Sequence, residues 1–321
     1  MLSGLVFNSL TYYLGLYVLS RSLFILIQGL YPLIFSHFRP TDYLARYGKG
    51  SFALITGASD GFGKAFAHHL AQLGFNLVLV ARNKEKLEGV KKEIKAKKPL
   101  CDVRIIVKDF TNALEKGFFD DFETASRDLD ISILVNNVGI SSATMDMFEN
   151  YMTSADYSKI REMIVVNMVS QAALHRIFSA NLNSRKNRSA IFDVASIGAR
   201  VCAPISDIYF STKDFNRSLT ANLSSSERMK NIDYVGLNLG GVKSNFSDHS
   251  FLKKFGKIGI SSEDAVLGAI KSLGIVRESS GNIKHVFENL VANLVGESLD
   301  EYTSAALSFG LLLTGNIPKV K

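Results

Sequence analysis

The chain has 321 residues, 47% of them hydrophobic, with two cysteines and a net charge of +7. That length accommodates one large α/β domain and an appendage. Cys101 and Cys202 stand apart with no CxxC or metal-ligand spacing, which argues against a disulfide framework, a zinc site or any other bound metal. The positive charge admits nucleic acid, an anionic membrane face or an anionic small molecule as partner, and only its distribution separates these.

Residues 1–38 hold much of the hydrophobic excess: LSGLVFNSLTYYLGLYVLS, then Arg21, then SLFILIQGLYPLIF. A bilayer span requires ~20 predominantly apolar residues, and this stretch supplies one. Arg21 is expected to snorkel to an interface. It would divide the span from an in-plane segment that Pro32 ends or kinks. The apolar run is too long, and its start too poor in basic residues, for a cleaved secretory leader. It also lacks the Arg- and Ser-rich amphipathic pattern of a mitochondrial transit peptide. Residues 1–50 therefore read as an uncleaved membrane anchor and linker. Arg39, Arg46 and Lys49 follow the apolar stretch, so the main domain is expected to face the cytosol or its organelle equivalent. The sequons at Asn216 and Asn222 read as chance matches, in keeping with a non-lumenal domain.

From residue 51 strands and helices alternate, the pattern of a doubly wound parallel sheet with helices on both faces. The first strand, Phe52 to Thr56, runs into Gly57, Ser59, Gly61, Phe62 and Gly63 and then an amphipathic helix. Glycines spaced G-x-x-x-G-x-G let the backbone turn tightly and approach a pyrophosphate at the helix N-terminus. The second strand ends on Ala81-Arg82-Asn83. Arg82 offers a cation where an acidic residue would take the ribose hydroxyls of NAD, which favours NADP. Residues 84–98 hold seven Lys against three Glu and read as a solvated helix face. No aromatic platform or recognition motif accompanies them, so no nucleic-acid partner is expected.

The third strand, DVRIIVKDF, leads to Asp109, and the fourth, ISILVNNVG, ends on Asn136 and Asn137. A helix from about Lys159 to Ile177 carries Asn167 within an apolar face. A fifth apolar run ends at Ser196, and Tyr209 and Lys213 follow at the start of another helix. Residues i and i+4 share a helical face, so the Lys213 ammonium can sit beside the Tyr209 phenol. A nearby cation favours the phenolate, which suits Tyr209 to general-acid work on a carbonyl. The strand DYVGLNLGG then leads to Val242 and Ser244, residues 246–259 read as a lid, and GNIKHVF reads as a last strand. The apolar run Ala305 to Leu313 is too short to span a bilayer and reads as core packing or an interfacial segment.

Taken together, TGASDGFG, Asp109, NNVG, Asn167, Ser196, Tyr209 and Lys213, in that order, resemble the short-chain dehydrogenase/reductase family over residues 51–290. The anchor broken by Arg21, TGASDGFGK, NNVG and IYFSTK resemble the membrane-anchored 17β-hydroxysteroid dehydrogenase / very-long-chain 3-oxoacyl-CoA reductase group. The resemblance implies a Rossmann-type catalytic domain over 51–290 and a tail over 291–321. It implies an NADPH-dependent reduction of a lipophilic ketone. Tyr209 would donate the proton, Ser196 would hold the carbonyl oxygen, and Lys213 would tune Tyr209 and grip the nicotinamide ribose. Asn167 would hold a relay water. TGASDGFG would meet the phosphates, Asp109 the adenine, and Asn136 would close the cofactor site. Val242 and Ser244 match the positions beside the carboxamide and a nearby phosphate. Leu239 stands where many members carry Pro.

The expected substrate is a long-chain 3-oxoacyl-CoA, with a 17β-hydroxysteroid or other lipophilic ketone as the alternative. A non-catalytic reading, an accessory subunit of a membrane complex, is weakened by the intact Tyr, Lys and glycines. The expected location is the endoplasmic reticulum membrane, or else the mitochondrial inner membrane. The family pattern also makes a homodimer or a membrane-complex partner an expectation.

Overall fold

A computed structural model of the chain describes residues 2–38, 41–141, 156–200, 207–243 and 259–296. Phe52–Thr56 (β1), Asn76–Ala81 (β2), Val103–Val107 (β3), Ile131–Asn136 (β4), Ser189–Val194 (β5) and Ile232–Leu237 (β6) pair in parallel with the short Glu278–Ser279 (β7). The sheet order is β3-β2-β1-β4-β5-β6-β7. Every residue of β1, β4 and β6 is buried. Helices cover both faces, so neither face of these strands needs a polar side.

The helices are Leu2–Phe38 (α1), Tyr43–Tyr47 (α2), Gly61–Leu73 (α3), Lys84–Lys97 (α4), Asp120–Asp128 (α5), Tyr157–Ile164 (α6), Ser170–Ser184 (α7), Asp207–Ser224 (α8), Ser262–Lys271 (α9) and Ile283–Gly296 (α10). Successive residues of a strand point to opposite faces, and β1 divides accordingly. Ala53 and Ile55 join one core with Phe66 and Leu70 of α3, Leu87 of α4 and Ala269 of α9. Phe52 and Leu54 join the other with Phe122 of α5 and Leu174 and Phe178 of α7. Truncating a fully buried Leu such as Leu54 to Ala costs about 2–5 kcal/mol. The chain reverses its winding between β1 and β4, and the crevice outside the C-terminal ends of those strands is where such sheets bind ligands.

Three elements differ from the expectation. Neither Arg21 nor Pro32 divides the N-terminal segment, which is one helix with Pro32 inside it. Pro removes one backbone donor from the helix ladder, and here its ring is buried on the side where α1 packs against α9 and α10. Gly29 makes that contact close, since a Cβ there would lie 2.6 Å from Val286 of α10. Thr11–Ser36 is long and apolar enough to cross a membrane. The segment GNIKHVF is not a strand but the start of α10. Asn282 Oδ1 accepts the Lys284 N–H as a helix N-cap does, and Val286 and Leu290 follow Ile283 and Val286 at helical spacing. The Asn167 helix continues through α6 and α7 with one π-turn, Val165–Val169, at the flagged residue. Ser244, residues 246–258 and Ala305 to Leu313 lie outside the described residues.

The N-terminal edge of the sheet is locked by Asp233 at the start of β6. It accepts hydrogen bonds from Arg46 Nε at 2.9 Å, Tyr47 Oη at 2.9 Å and Arg188 Nε at 3.0 Å. The guanidinium and phenol donors hold its carboxyl below the usual range in spite of burial. The segment following α1 is thereby pinned to the sheet.

Candidate active site

Two clusters meet at the C-terminal edge of the sheet. In the first, β1 ends at Thr56 and the chain turns through residues 57–60 into α3. Gly57 takes φ +66°, and a Cβ there would meet Asn137 Nδ2 at 2.7 Å. A Cβ on Gly63 would lie 2.3 Å from Gly57 O. Neither position has room for a side chain, and the bare backbone of the turn faces the crevice at the α3 N-terminus. Asp60 caps that helix through the Gly61 N–H at 2.7 Å and is reached by Lys86 at 3.3 Å. Ser59 lies half-buried on the turn. Phe62 packs edge-on against Phe66 in the core, which leaves its backbone rather than its ring for a ligand.

Asn136 and Asn137 separate in role. Asn137 Nδ2 donates to Thr56 O at 2.8 Å, and its N–H donates to Thr56 Oγ1 at 2.9 Å, so it braces the glycine turn. The Asn136 side chain turns into the interior and donates to Asp193 Oδ1 at 2.8 Å. Strand alternation forces this division, because neighbouring side chains cannot face the same way. Arg82, following β2, is exposed and lies 3.9 Å from Asp109 Oδ2. Asp109 Oδ1 caps the turn after β3 by accepting the Thr111 N–H at 3.1 Å. Both residues thus stand on one rim of the crevice.

The second cluster is built on β5 and α8. Ser196 follows β5, and its Oγ accepts the Gly198 N–H at 3.2 Å, an arrangement that leaves the hydroxyl proton for another acceptor. A Cβ on Gly198 would lie 2.1 Å from the Phe210 ring, so this contact seats the residue next to Tyr209 against the Ser196 turn. Lys213 is buried. Its Nζ donates to Val194 O at 2.8 Å and lies 5.9 Å from the Tyr209 ring centroid. Asn167 Oδ1 accepts the Ile140 N–H at 2.8 Å, and its Nδ2 donates to Ile140 O and to Thr212 Oγ1, each at 2.9 Å. These bonds tie the loop after β4 to α8 beside Lys213. Val242 pairs with Ile260 across a short bridge further along the rim.

Burial dominates the electrostatics here. It drives the Tyr209 phenol above its ordinary value, the reverse of the direction expected from Lys213 alone. It pulls the Lys213 ammonium down to about 8, with Asp193 acting in the opposite sense. The wall around the phenol is apolar: Tyr209 and Met163 pack with Ile140, Ile160, Ile208 and Phe210. Leu239, in the place of a family Pro, donates its N–H to Leu237 O at 3.1 Å, a bond that Pro could not make. Three buried side chains beneath the site, Asp193, His175 and Thr220, were not singled out from the sequence. An acidic residue inside the β5 apolar run was the available signal for Asp193.

The model of the short chain dehydrogenase family matches residues 51–254. The chain belongs to the short-chain dehydrogenase family. Members of this family use nicotinamide cofactors, and the glycine turn fits one, since its two positions closed to any side chain bring backbone to the crevice. The chain is similar to the very-long-chain 3-oxoacyl-CoA reductase of Coccidioides immitis, 32% identical over 68% of this chain and 60% of that one. It is 29% identical to the human protein of the same name over 77% and 76% of the two chains. For Ajellomyces capsulatus the figures are 34% identity over 55% of this chain. The match spans about half to three fifths of the length of such fungal relatives. Among solved structures, a 7β-hydroxysteroid dehydrogenase superposes with TM-score 0.65 at 22% identity, covering 84% of this chain and all of that one. The 3-ketoacyl-(acyl-carrier-protein) reductase of Brucella melitensis superposes with TM-score 0.59 at 23% identity, covering 72% of this chain and 96% of that one. At such identities these neighbours establish the short-chain dehydrogenase fold.

Proposed function

We propose that this short-chain dehydrogenase is a membrane-anchored, NADPH-dependent reductase of long-chain 3-oxoacyl-CoA, acting at the cytosolic face of the endoplasmic reticulum. The observation that carries the reading is the convergence of Tyr209, Lys213 and the Ser196 turn beside the glycine cradle, under an apolar wall. The very-long-chain 3-oxoacyl-CoA reductases among its relatives support the substrate class. The long apolar α1 suits a substrate whose tail stays in lipid, and the lysine-rich α4 suits the phosphates of CoA.

The backbone of residues 57–63 would hold the pyrophosphate of the cofactor, Asp109 would meet the adenine, and Arg82 would meet a 2′-phosphate. Val242 would lie beside the carboxamide, and Ser244 near a phosphate. When bound, a nicotinamide supplies the hydride. The chain's own residues handle the oxygen. Ser196 Oγ donates to the ketone oxygen and orients it, and Tyr209 Oη delivers the proton to the alkoxide that develops there. A phenol kept protonated by burial is in the right state to donate. Lys213 stabilises the phenolate that the transfer leaves and hydrogen-bonds the ribose. Asn167 keeps the loop after β4 and α8 in register around Lys213, and a water bound in that corner would return the proton to Tyr209.

The test is NADPH oxidation by detergent-solubilised protein with C16 to C20 3-oxoacyl-CoA, run beside a panel of 17-ketosteroids. Turnover of the acyl-CoA that is lost in Tyr209→Phe is the expected result. Steroid turnover without acyl-CoA turnover would replace the substrate, and near-wild-type turnover in Tyr209→Phe would overturn the mechanism.

A further inference from the structure

Beneath Lys213 lies an acid that the proposed reaction does not use. Asp193 is fully buried on β5, one residue before the carbonyl that receives the Lys213 ammonium. Donors from three elements converge on its carboxylate. Asn136 Nδ2 of β4 reaches Oδ1 at 2.8 Å, His175 Nε2 of α7 lies 3.1 and 3.0 Å from the two oxygens, and Thr220 Oγ1 of α8 reaches Oδ2 at 2.7 Å. Because Nε2 faces both carboxylate oxygens, it carries a proton and donates. Among the described residues no lysine or arginine forms an ion pair with this acid. Its donors are an amide, an imidazole and a hydroxyl, and it acts on Lys213.

That field is felt on both sides. Asp193 raises the proton affinity of Lys213, against a burial that lowers it. On β6 it acts in the same sense on Tyr234, whose ring stacks on His175 and whose phenol is pushed up to about 12, chiefly by burial. The groups facing Asp193 are therefore His175 from α7, Lys213 and Thr220 from α8, Asn136 from β4 and Tyr234 from β6. Tyr209 lies beyond Lys213. Within this set Asp193 is the acid that opposes the desolvation of Lys213.

We propose that Asp193 is the buried counter-charge of the Tyr209–Lys213 pair, a positioning residue that holds Lys213 as an ammonium and is itself held by His175, Thr220 and Asn136. The inference rests on the reading of Tyr209 and Lys213 as the proton-handling pair. Its logic is electrostatic. A carboxylate sealed from water acts on a neighbouring cation with little screening, and its donors fix where the charge sits. Removing the charge releases the Lys213 proton at lower pH, so the ammonium that reduction needs beside Tyr209 is lost earlier as pH rises.

The experiment is the pH profile of kcat for ketone reduction in Asp193→Asn, with Asp193→Ser as the smaller charge-removing variant and Asp193→Glu as the conservative one. Thermal unfolding reports folding in each. The alkaline limb of a folded Asn or Ser variant is expected to move down by roughly 1 pH unit, with kcat on the acid side of the limb changed only a few-fold. Asp193→Glu is expected to restore the wild-type limb. A folded Asn or Ser variant with an unmoved limb overturns the proposal while leaving the proposed reaction intact. A limb that Asp193→Glu displaces as far as Asp193→Asn also overturns it, because packing and not charge would then set the limb. A wild-type protein that reduces no ketone at all overturns the underlying reading instead.

Discussion

The two ends of the sheet each bury a carboxylate, and they treat it in opposite ways. Asp233, at the N-terminal edge, is held by two guanidinium groups and a phenol. Asp193, at the edge that carries the candidate site, is held by an amide, an imidazole and a hydroxyl, and it answers a lysine that burial has made easy to deprotonate. The first arrangement leaves the charge over-compensated and fixes the segment after α1. The second leaves the charge acting on its neighbours. An acid fully paired with arginines is a clamp. One held by an amide, an imidazole and a hydroxyl, with no arginine, has field to spare, and a proton-transfer site can use it.

Substitutions at the two ends should therefore separate activity from stability. Tyr209→Phe is expected to lower kcat by roughly 10²–10⁴-fold with an unchanged unfolding temperature, as checked by NADPH oxidation and thermal denaturation. Asp233→Ala is expected to do the converse. Arg46 and Arg188 remain partly exposed and can be solvated, so the loss is about 1–3 kcal/mol of stability, with little change in kcat for the folded fraction. A fall in kcat comparable to that of Tyr209→Phe would break the comparison.

Arg82 sharpens it from the cofactor side. Its guanidinium is exposed and its ion pair with Asp109 is long, so Arg82→Ala should leave stability alone. It should reduce the preference for NADPH over NADH by roughly 10-fold, as read from the ratio of kcat/KM values.

The smallest effects lie in the pH dependence of unfolding, where both ends make stability rise with pH but in different windows. The Asp233 carboxyl is held low in the folded state, so its contribution is present above the unfolded carboxylate value and is lost as pH falls through the folded one. Lys213 gives the same slope in the alkaline window. Its folded value of about 8 lies below its unfolded value, so the unfolded chain binds the extra proton between them. Stability should rise from pH 8 towards pH 10, before unfolded tyrosines ionise, and Lys213→Met should abolish that rise. Denaturant melts across pH 3 to 10 would show both slopes. A flat alkaline profile in the wild type would mean that Lys213 is not desolvated.

Much of this protein was legible from sequence because local rules act on contiguous residues. The apolar runs of β1 to β6 and the glycine spacing after β1 are enforced by neighbours in the chain. Tyr209 and Lys213 are tied by one turn of helix. Where sequence reading failed, two local signals competed. In GNIKHVF a short apolar alternation looked like a strand, while the Asn282 cap and the spacing of Ile283, Val286 and Leu290 made a helix. In α1, Arg21 and Pro32 looked like punctuation, yet packing against α9 and α10 carried the helix through. The division of Asn136 from Asn137 required knowing which face of the sheet each one meets.

By itself, the sequence determined the fold class and the long apolar N-terminal segment, and it named the residues gathered at the candidate site. Tertiary structure alone decided the charge environment of Lys213. Asp193, His175 and Thr220 come from β5, α7 and α8 and meet only when those elements pack. Desolvation and Coulomb terms depend on distance through the fold and not along the chain, so no local pattern could have specified them.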